Sequence, residues 1–397
     1  MMDYLFEISE RLISHAPEAV VRNQLAQLSE GGRMIGIKGA RGVGKSTLLL
    51  QFARMKLQDK KKIYVSLDDI AFAQQGLADF ADAFVKRGGE YLLIDEVHSY
   101  SGWAREMKNI YDRYPGLHVL FTGSSMLQLS EGLGELSRRA VIYDLPGLSF
   151  REYIQFATGK TFDVIPLSSI LSDHQQIAKT IWQEIRPLQH FEDYLRGGYY
   201  PYYFENPQTY DLRLRETVVR VIESDLLLTT GISPASMEKV KQLLHIISHS
   251  VPFKPNIDKL AERMQTGKNN LKAYFRYLDL AGLTRSLFSA KKGISLLTKP
   301  EKVYLSHPNI MHSLNPGEVN PGTQRESFLL SQLAPIHTVH EPDRGDFLVD
   351  RSLLLEVGGK NKTAAQISGE ENAWLAIDGI ETGYGNRIPL WLFGFLY

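Results

Sequence analysis

A glycine-rich segment between two apolar runs constrains this chain more than any other feature. Residues 36–50 read GIKGARGVGKSTLLL. The run from Arg33 to Lys38 suits a buried strand, and the residues from Ser46 onward suit a helix. All fixed positions of G-x-x-x-x-G-K-S are filled, and such a loop presents backbone N–H groups and a helix N-terminus to phosphate oxygens. A glycine-rich turn with a chance lysine is the alternative, but the segment predicts a phosphate-binding loop.

The loop predicts specific contacts with a nucleotide and its metal. Lys45 is expected to reach the β- and γ-phosphates of ATP, and Ser46 is expected to ligate Mg²⁺. The predicted cofactor-binding residues are Gly39, Ala40, Arg41, Gly42, Val43, Gly44, Lys45, Ser46, Thr47 and Asp95.

A second apolar run ends in two carboxylates about fifty residues after this lysine. Tyr91 to Glu96 reads YLLIDE, which fits a buried parallel strand with its acids at the carboxyl edge. Asp95 would hold Mg²⁺ through water, and Glu96 would polarise the attacking water. An Asp-Glu pair alone is often a solvated helix start, but behind an intact phosphate loop it favours ATP hydrolysis.

Composition sets outer limits on the class of protein. A chain of 397 residues should hold two or three domains, and its 43% hydrophobic and 23% charged residues are ordinary for a globular protein. Cysteine is absent, which excludes disulfides and thiolate metal sites and favours a reducing compartment. We expect a cytoplasmic protein with no signal peptide and no transmembrane segment, because the apolar run at 388–397 is too short to span a bilayer and resembles a buried terminal strand.

Strand and helix signals alternate through the first third of the chain. Five strands with helical crossovers predict a parallel sheet. Residues 149–232 are expected to be largely helical, interrupted by Gly197-Gly198 and an aromatic cluster at 199–204. We interpret the aromatic residues as core packing, with a base-stacking platform as the alternative.

Several segments together resemble a known family. They are GARGVGKST, YLLIDEVHSYSGWAREMKNIYD, LFTGSSM, LSRRAVIYDLPGLSFREY and IPLWLFGFLY. They resemble the prokaryotic, archaeal-type AAA P-loop ATPases that carry a C-terminal domain of unknown function, over essentially the whole chain. The resemblance implies an α/β protein in four parts. These are an AAA-type core with a five-stranded parallel sheet (1–147), a helical lid (148–232), a winged-helix module (233–310) and a restriction-endonuclease-like α/β domain (311–397).

The resemblance also implies two further ATPase positions. A polar residue at the end of the fourth strand should lie near the γ-phosphate; Thr122, Ser124 and Ser125 are available, and Ser124 is favoured. Arg139 matches an arginine finger that would act on a neighbouring subunit, which implies a homo-oligomer, while Arg138 stands where the family usually has glycine. The alternative is that both arginines only complement a helix C-terminus.

Residues 237–302 have helix-turn-helix spacing and a concentration of positive charge. From 254 to 302 there are 11 Lys and Arg against 4 Asp and Glu, a net +7 in a chain whose formal charge is zero. This pattern predicts contact with the phosphates of duplex DNA, with a spacer or protein-contact role as the alternative. The candidate DNA-contacting residues are Lys268, Lys272 and Arg276.

The last segment carries part of a nuclease pattern. Restriction-type nucleases use carboxylates for Mg²⁺ and a lysine for the water. Asp346 and Glu356 fit the carboxylate pattern, and Glu326 lies on the helix that begins this segment and is counted with the same candidate site. Gly358 occupies the place that strand alternation gives to the lysine, and Lys360 lies two residues further on. We therefore expect a degenerate nuclease-like site.

Together these patterns predict an ATPase. The chain is expected to bind and hydrolyse ATP with Mg²⁺ and to couple its nucleotide state to a DNA- or protein-binding C-terminal half. Two alternatives stay open: a nuclease that ATP gates, and a slow nucleotide switch or scaffold with little turnover.

Overall fold

A computed structural model describes residues 2–123, 134–226, 230, 232–290, 299–317 and 319–397. The chain divides into two compact units, Met1–Gly147 and Leu148–Tyr397. Each is built around its own hydrophobic cluster. In the described ranges, no helix has both the length and the apolar character needed to cross a bilayer.

The first unit contains a five-stranded sheet. Its strands are β1 (Met34–Lys38), β2 (Lys62–Ser66), β3 (Tyr91–Asp95), β4 (His118–Gly123) and β5 (Val141–Asp144). Their order is β2-β3-β4-β1-β5, and every neighbouring pair is parallel. The predicted five-stranded parallel sheet is therefore confirmed. Because all strands run the same way, the loops that follow them gather at one edge.

Helices cover this sheet. They are α1 (Met2–Ser14), α2 (Gln24–Gln27), α3 (Lys45–Lys56), α4 (Leu77–Lys86) and α5 (Trp103–Arg113). In α4 the buried residues are Leu77, Phe80, Ala81 and Phe84. That spacing places them on one side of a helix, so the helix buries an apolar stripe and leaves its other side to solvent.

The second unit begins with helices. They are α6 (Phe150–Thr158), α7 (Leu167–Glu184), α8 (Pro187–Gly197) and α9 (Tyr210–Arg220). Helix α6 starts with a capping box in which the Ser149 side chain accepts from the Glu152 N–H and the Glu152 side chain accepts from the Ser149 N–H. Tyr200 is buried and Tyr199 stacks on His307 with ring centroids 3.8 Å apart, so the aromatic cluster contributes to packing inside this unit.

Three helices and a hairpin follow. They are α10 (Pro234–Ser248), α11 (Ile257–Arg263), α12 (Lys268–Leu280), β6 (Thr284–Leu287) and β7 (Lys302–Leu305). Strands β6 and β7 are antiparallel, and Phe253, between α10 and α11, forms an antiparallel bridge with Val303 of β7. Helix α13 (Pro308–Leu314) comes next.

The C-terminal part is a helix followed by a mixed sheet. Its elements are α14 (Pro321–Leu333), β8 (Val339–His340), β9 (Phe347–Val349), β10 (Leu353–Gly358), β11 (Ala373–Ile377) and β12 (Arg387–Pro389). The strand order is β12-β11-β10-β9-β8. The β8-β9 and β9-β10 pairs are antiparallel, and the other two pairs are parallel.

The terminal apolar run is not the single strand expected from the sequence. Strand β12 ends at Pro389, and Leu390–Phe395 forms a 3₁₀ helix in which all six residues are buried. A continuous apolar run does not distinguish a buried strand from a buried helix, because neither alternation nor helical periodicity is visible in it.

Candidate nucleotide-binding site

Three strand ends meet at one edge of the first sheet. The register pairs Ile37 of β1 with Thr122 of β4, and Phe121 of β4 with Ile94 of β3. Asp95, the next residue of β3, therefore ends its strand level with Thr122. Adjacent strands lie about 4.8 Å apart, so the loop after β1 and the acid that ends β3 are separated by about 10 Å.

The loop after β1 has the backbone that its glycines permit. Gly42 and Gly44 have φ values of 86° and 96°, in the left-handed region that favours glycine. At Gly39 a Cβ atom would lie 2.3 Å from the Leu145 carbonyl oxygen, so only glycine fits there. Helix α3 begins directly after Gly44, and the first N–H groups of a helix lack helical partners and favour an anion.

Lys45 lies folded over this loop. Its side chain is buried, and Nζ donates to the carbonyl oxygens of Gly39 at 3.0 Å and Ala40 at 2.9 Å. These bonds hold the ammonium group against the start of the loop that, by prediction, binds phosphate.

Asp95 is a buried carboxylate held by hydroxyl groups. Its side chain is 3% exposed. Oδ2 accepts from the Tyr64 hydroxyl at 2.7 Å, and Oδ1 accepts from the Thr122 hydroxyl and from the Glu96 N–H at 3.1 Å. Burial and then the charge of Asp95 raise the pKa of Tyr64, so this hydroxyl remains a protonated donor. Neutral donors thus orient Asp95 without cancelling its charge.

Glu96 has a backbone conformation that is uncommon outside glycine. Its φ is 52°, in the left-handed region, which costs about 1 kcal/mol or more for a side chain of this kind. Its N–H also lies 3.4 Å from the Thr122 hydroxyl, and its Oε2 lies 3.2 Å from Nε2 of His98. Such strain is characteristic of functional positions, and it falls on the residue predicted to orient the attacking water.

Two residues near Asp95 were not expected from the sequence. Tyr64 lies on β2, and its hydroxyl reaches an acid 31 positions later. His98 lies in the turn after β3. A tyrosine in an apolar strand carries no local sign of such a contact, whereas the histidine stands two residues after the predicted catalytic acid and could have been considered.

The predicted residues at the end of β4 and in the following segment have different outcomes. Ser124, the favoured residue, and Ser125 lie outside the described residues, so Ser124 stays a prediction. Thr122 is the candidate that contacts Asp95. Arg139 donates from Nε and Nη2 to the two carboxylate oxygens of Asp112, both at 2.8 Å, and this pairing lowers the pKa of Asp112. The arginine-finger role of Arg139 stays a prediction. It would require the Arg139 side chain to leave Asp112 and to reach the nucleotide of a neighbouring subunit.

The predicted DNA-contacting residues of α12 differ in their surroundings. Lys268 forms an ion pair with Asp258, which lowers the pKa of Asp258. Arg276 is exposed and Lys272 is half-buried. The charge of Lys268 is therefore already compensated by a carboxylate, and Lys272 and Arg276 remain the stronger candidates for phosphate contact.

The nuclease-like carboxylates lie together in the second unit. Glu326 accepts from the Tyr304 hydroxyl at 2.7 Å, and Asp346 accepts from the Val357 N–H at 2.8 Å. Burial, reinforced by the charges of Asp346 and Glu356, raises the pKa of Glu326 to about 7. Close like charges in a buried site make full ionisation costly.

The lysine beside these carboxylates is not the one expected. Glu356, 1% exposed, contacts the ammonium group of Lys362. Lys360 instead packs over Gly379, where a Cβ atom would lie 2.9 Å from Lys360 Cε. Strand β10 ends at Gly358, and a tight turn brings Lys362 so close that a Cβ at 358 would lie 2.4 Å from the Lys362 Cβ. Strand alternation ceases to apply beyond Gly358, so it could not identify this lysine.

Across the described ranges there is no group of three or more His, Asp or Glu side chains arranged to hold a metal ion. In the second unit the carboxylates are engaged by Lys362, Tyr304 and a backbone N–H.

Comparison with family models gives two matches. Residues 31–154 match a model described as an AAA domain, and this range contains every predicted nucleotide-site residue. The match supports a P-loop ATPase. It supports ATP binding and hydrolysis in general for this part of the chain. Residues 188–319 match a domain of unknown function, DUF8612. The winged-helix and restriction-endonuclease-like assignments are not supported by either match and stay predictions.

Comparison with solved structures gives low similarity. The Walker-type ATPase PABY2304 of Pyrococcus abyssi is 13% identical, with a TM-score of 0.44, over 76% of this chain and 99% of that chain. PCH-2 of C. elegans is 14% identical, with a TM-score of 0.25, over 70% and 66%. AMPPCP-bound DnaA from Aquifex aeolicus is 15% identical, with a TM-score of 0.24, over 69% and 86%. Scores below 0.5 do not establish a shared overall fold. A search of curated proteins gives no match.

Proposed function

We propose that the chain binds ATP with Mg²⁺ at the edge of the first sheet and hydrolyses it. The observation that carries this proposal is the buried Asp95 carboxylate, oriented by the hydroxyls of Tyr64 and Thr122. Only strand β4 lies between its strand and β1, which leads into the glycine loop. Hydroxyl donors fix the orientation of a carboxylate without placing a positive charge beside it, and such an acid is suited to hold a hydrated cation.

The loop and helix α3 bind the phosphates. Backbone N–H groups of residues 39–47 would donate to phosphate oxygens, and Lys45 would add a positive charge near the β- and γ-phosphates. The Ser46 hydroxyl and the Asp95 carboxylate would hold Mg²⁺, which would supply positive charge to the transferred phosphoryl group.

Glu96 orients the water that attacks the γ-phosphate. Its backbone is fixed by contacts of its N–H with Asp95 and Thr122, next to the metal-binding acid. Phosphoryl transfer depends mainly on positioning and charge stabilisation, so a carboxylate with a fixed backbone suits this role.

The test is phosphate release and nucleotide binding by the parent chain, Lys45→Ala and Glu96→Gln. We expect Lys45→Ala to lose nucleotide binding, because phosphate contacts are removed. Glu96→Gln should still bind ATP while its turnover falls about 100-fold or more, the scale of a lost general base. Normal hydrolysis by Glu96→Gln would show that another residue orients the water.

We further propose that residues 233–310 form a winged helix that binds duplex DNA under the control of the nucleotide. The order α10, bridging Phe253, α11, α12 and the β6-β7 hairpin supports this, as does the exposure of Arg276 on α12. A second helix of such a pair commonly lies in the major groove while basic side chains contact phosphates.

The ion pair of Lys268 provides a matched comparison on one helix. Neutralising a lysine that contacts phosphate lowers the slope of log affinity against log salt by about 0.9. We expect Lys272→Gln to show this decrease and Lys268→Gln to show less, since Asp258 already compensates Lys268. Equal slopes for the parent and Lys272→Gln would favour a protein partner for this surface.

Nuclease chemistry is not part of the proposed function. Glu356 is engaged by Lys362, and Glu326 has a raised pKa, so the carboxylates are poorly prepared for a divalent cation. We propose a scaffold role for residues 311–397. Nicking of supercoiled plasmid in Mg²⁺ or Mn²⁺ that is lost in Asp346→Asn would overturn it.

A further inference from the structure

Arg22 is a buried arginine outside every segment that the sequence links to nucleotide binding. Its side chain is 6% exposed. Nη1 donates to the carbonyl oxygens of Pro146 at 2.8 Å and Val43 at 3.3 Å, and Nη2 donates to that of Gly147 at 3.1 Å. One guanidinium thus joins the centre of the phosphate loop to the residues that end the first unit.

The contact with Val43 bears on the orientation of one loop peptide. The Val43 carbonyl and the Gly44 N–H belong to the same planar peptide and point in opposite directions. With the carbonyl directed at Arg22, the Gly44 N–H is directed away from it. Gly42 and Gly44, on either side of Val43, both have positive φ. Arg22 therefore restrains the loop where glycine gives the backbone most freedom.

The segment that carries Arg22 is itself bound to the helix after the loop. From α3, Gln51 donates to the carbonyl oxygens of Pro17 and Val20, both at 2.8 Å. Arg54, also on α3, donates to that of Ser14 at 2.7 Å. Hydrogen bonds from α3, the helix that follows the phosphate loop, therefore hold the segment that carries Arg22 beside the loop.

The residues that end the first unit also contact the start of the loop. The Leu145 N–H donates to the Lys38 carbonyl oxygen at 2.7 Å. The Leu145 carbonyl oxygen packs against Gly39 so closely that a Cβ atom at residue 39 would lie only 2.3 Å from it. Segment 145–147 therefore contacts the loop directly at Gly39 and, through Arg22, at Val43.

We infer that Arg22 is a positioning residue for ATP binding. It holds the Val43–Gly44 peptide in the orientation in which its N–H faces the bound phosphates. The inference rests on the proposed nucleotide site and deepens it. Arginine suits this position because two separate nitrogens of its rigid planar group, Nη1 and Nη2, donate to carbonyls of different segments, whereas lysine has a single donor nitrogen.

Arg33 offers a matched control. It lies in the same unit and also donates to backbone carbonyls, to Tyr114 at 3.0 Å and Tyr111 at 3.3 Å, at the end of α5. Arg33→Ala therefore removes similar guanidinium-to-carbonyl bonds that do not involve the phosphate loop.

The experiment compares Arg22→Ala, Arg22→Lys, Arg33→Ala and the parent chain. The measurements are affinity for a fluorescent ATP analogue with Mg²⁺, KM and kcat for ATP, and hydrogen exchange of residues 40–48 without nucleotide. We expect Arg22→Ala to weaken binding about tenfold or more, to raise KM more than it lowers kcat, and to speed exchange of the loop. Arg22→Lys should be intermediate, and Arg33→Ala should stay within about twofold of the parent.

Three outcomes would overturn the inference. If Arg22→Ala binds the analogue as tightly as the parent does, Arg22 has no positioning role, although the proposed nucleotide site stands. Equal weakening by Arg22→Ala and Arg33→Ala would assign the effect to general stability. A parent chain that does not bind the analogue at all would remove the proposed function, and this inference with it.

Discussion

Each unit places a buried carboxylate on a strand, and the two differ in what they contact. Asp95 ends β3, and hydroxyl groups of Tyr64 and Thr122 donate to it. Glu356 lies on β10, and the ammonium group of Lys362 contacts it. Hydroxyls are neutral and add no positive charge beside the carboxylate, whereas the ammonium group of the lysine does. Asp95 is therefore suited to a cation, and Glu356 already has one.

The neighbouring acids extend this contrast. Glu96 follows Asp95 in a strained backbone conformation with a partly exposed side chain. Glu326, in the other cluster, has its pKa raised to about 7 by burial and by the charges of Asp346 and Glu356. The Asp95–Glu96 pair and the cluster of Glu326, Asp346 and Glu356 thus differ in how well they can bind a metal ion. This difference comes from the groups that contact each carboxylate and not from the number of carboxylates.

The largest expected functional difference between the two groups is in Mg²⁺-dependent nucleotide binding. Asp95→Asn should lower the Mg²⁺-dependent part of ATP binding and turnover by about 10- to 100-fold, the usual effect of removing a partner of a metal-bound water. Glu356→Gln should leave both unchanged. The measurement is a titration of a fluorescent ATP analogue with and without Mg²⁺. Loss of Mg²⁺ dependence in Glu356→Gln would remove the functional distinction between the groups.

The second prediction concerns stability of the second unit and uses the two lysines after β10. Lys362→Met should destabilise this unit by about 3 kcal/mol at pH 7, because it leaves Glu356 buried without its cation. Lys360→Met, which removes the lysine that packs over Gly379, should cost much less. Urea unfolding in a Trp103→Phe background follows the three tryptophans of this unit. Equal losses would show that the contact with Glu356 contributes nothing particular.

The third prediction is a pH dependence carried by Glu326. Its pKa is raised from 4.5 to about 7 in the folded protein, so its contribution to stability is complete below pH 4.5 and is lost as pH rises through 7. Glu326→Gln removes this loss while still accepting from Tyr304. The variant should therefore be more stable than the parent at pH 8, by at most about 3 kcal/mol, and little different at pH 4.5.

The same urea titration at the two pH values measures this effect. Glu370→Gln, at an exposed position of the same unit, is the control and should show no comparable change. If Glu326→Gln has the parent's stability at both pH values, ionisation of the Glu326 carboxyl does not destabilise this unit.

The features that the sequence predicted are those written in short segments. The phosphate loop follows from glycines at fixed spacing, and Asp95 and Glu96 follow from one apolar run with two acids at its end. The parallel sheet follows from alternating strand and helix signals. Each strand, helix or loop signal is contained in a short window, where periodicity and turn chemistry are informative, and only the order of these signals along the chain extends further.

The features that the sequence missed depend on residues that folding brings together. Tyr64 and Asp95 are 31 positions apart, and Arg22 and Pro146 are 124 apart. Nothing in the local sequence of Tyr64 or Arg22 distinguishes them from packing or surface residues. Lys362 was missed for a different reason, since the turn after Gly358 ends the alternation that pointed towards Lys360.

The smallest expected effect tests the hydroxyl donors themselves. Tyr64 donates to Asp95 and Tyr304 donates to Glu326, both at 2.7 Å, so Tyr64→Phe and Tyr304→Phe remove equivalent groups from the two clusters. Tyr64→Phe should raise the Mg²⁺ concentration that half-saturates ATP binding by roughly three- to tenfold, the size of one ordinary hydrogen bond. Tyr304→Phe should leave it unchanged. ATP-analogue binding in EDTA should be the same for both variants and the parent, because the phosphate loop is intact. If Tyr64→Phe needs no more Mg²⁺ than Tyr304→Phe, the hydroxyl does not prepare Asp95 for the cation, and the contrast between the clusters reduces to the presence of Lys362.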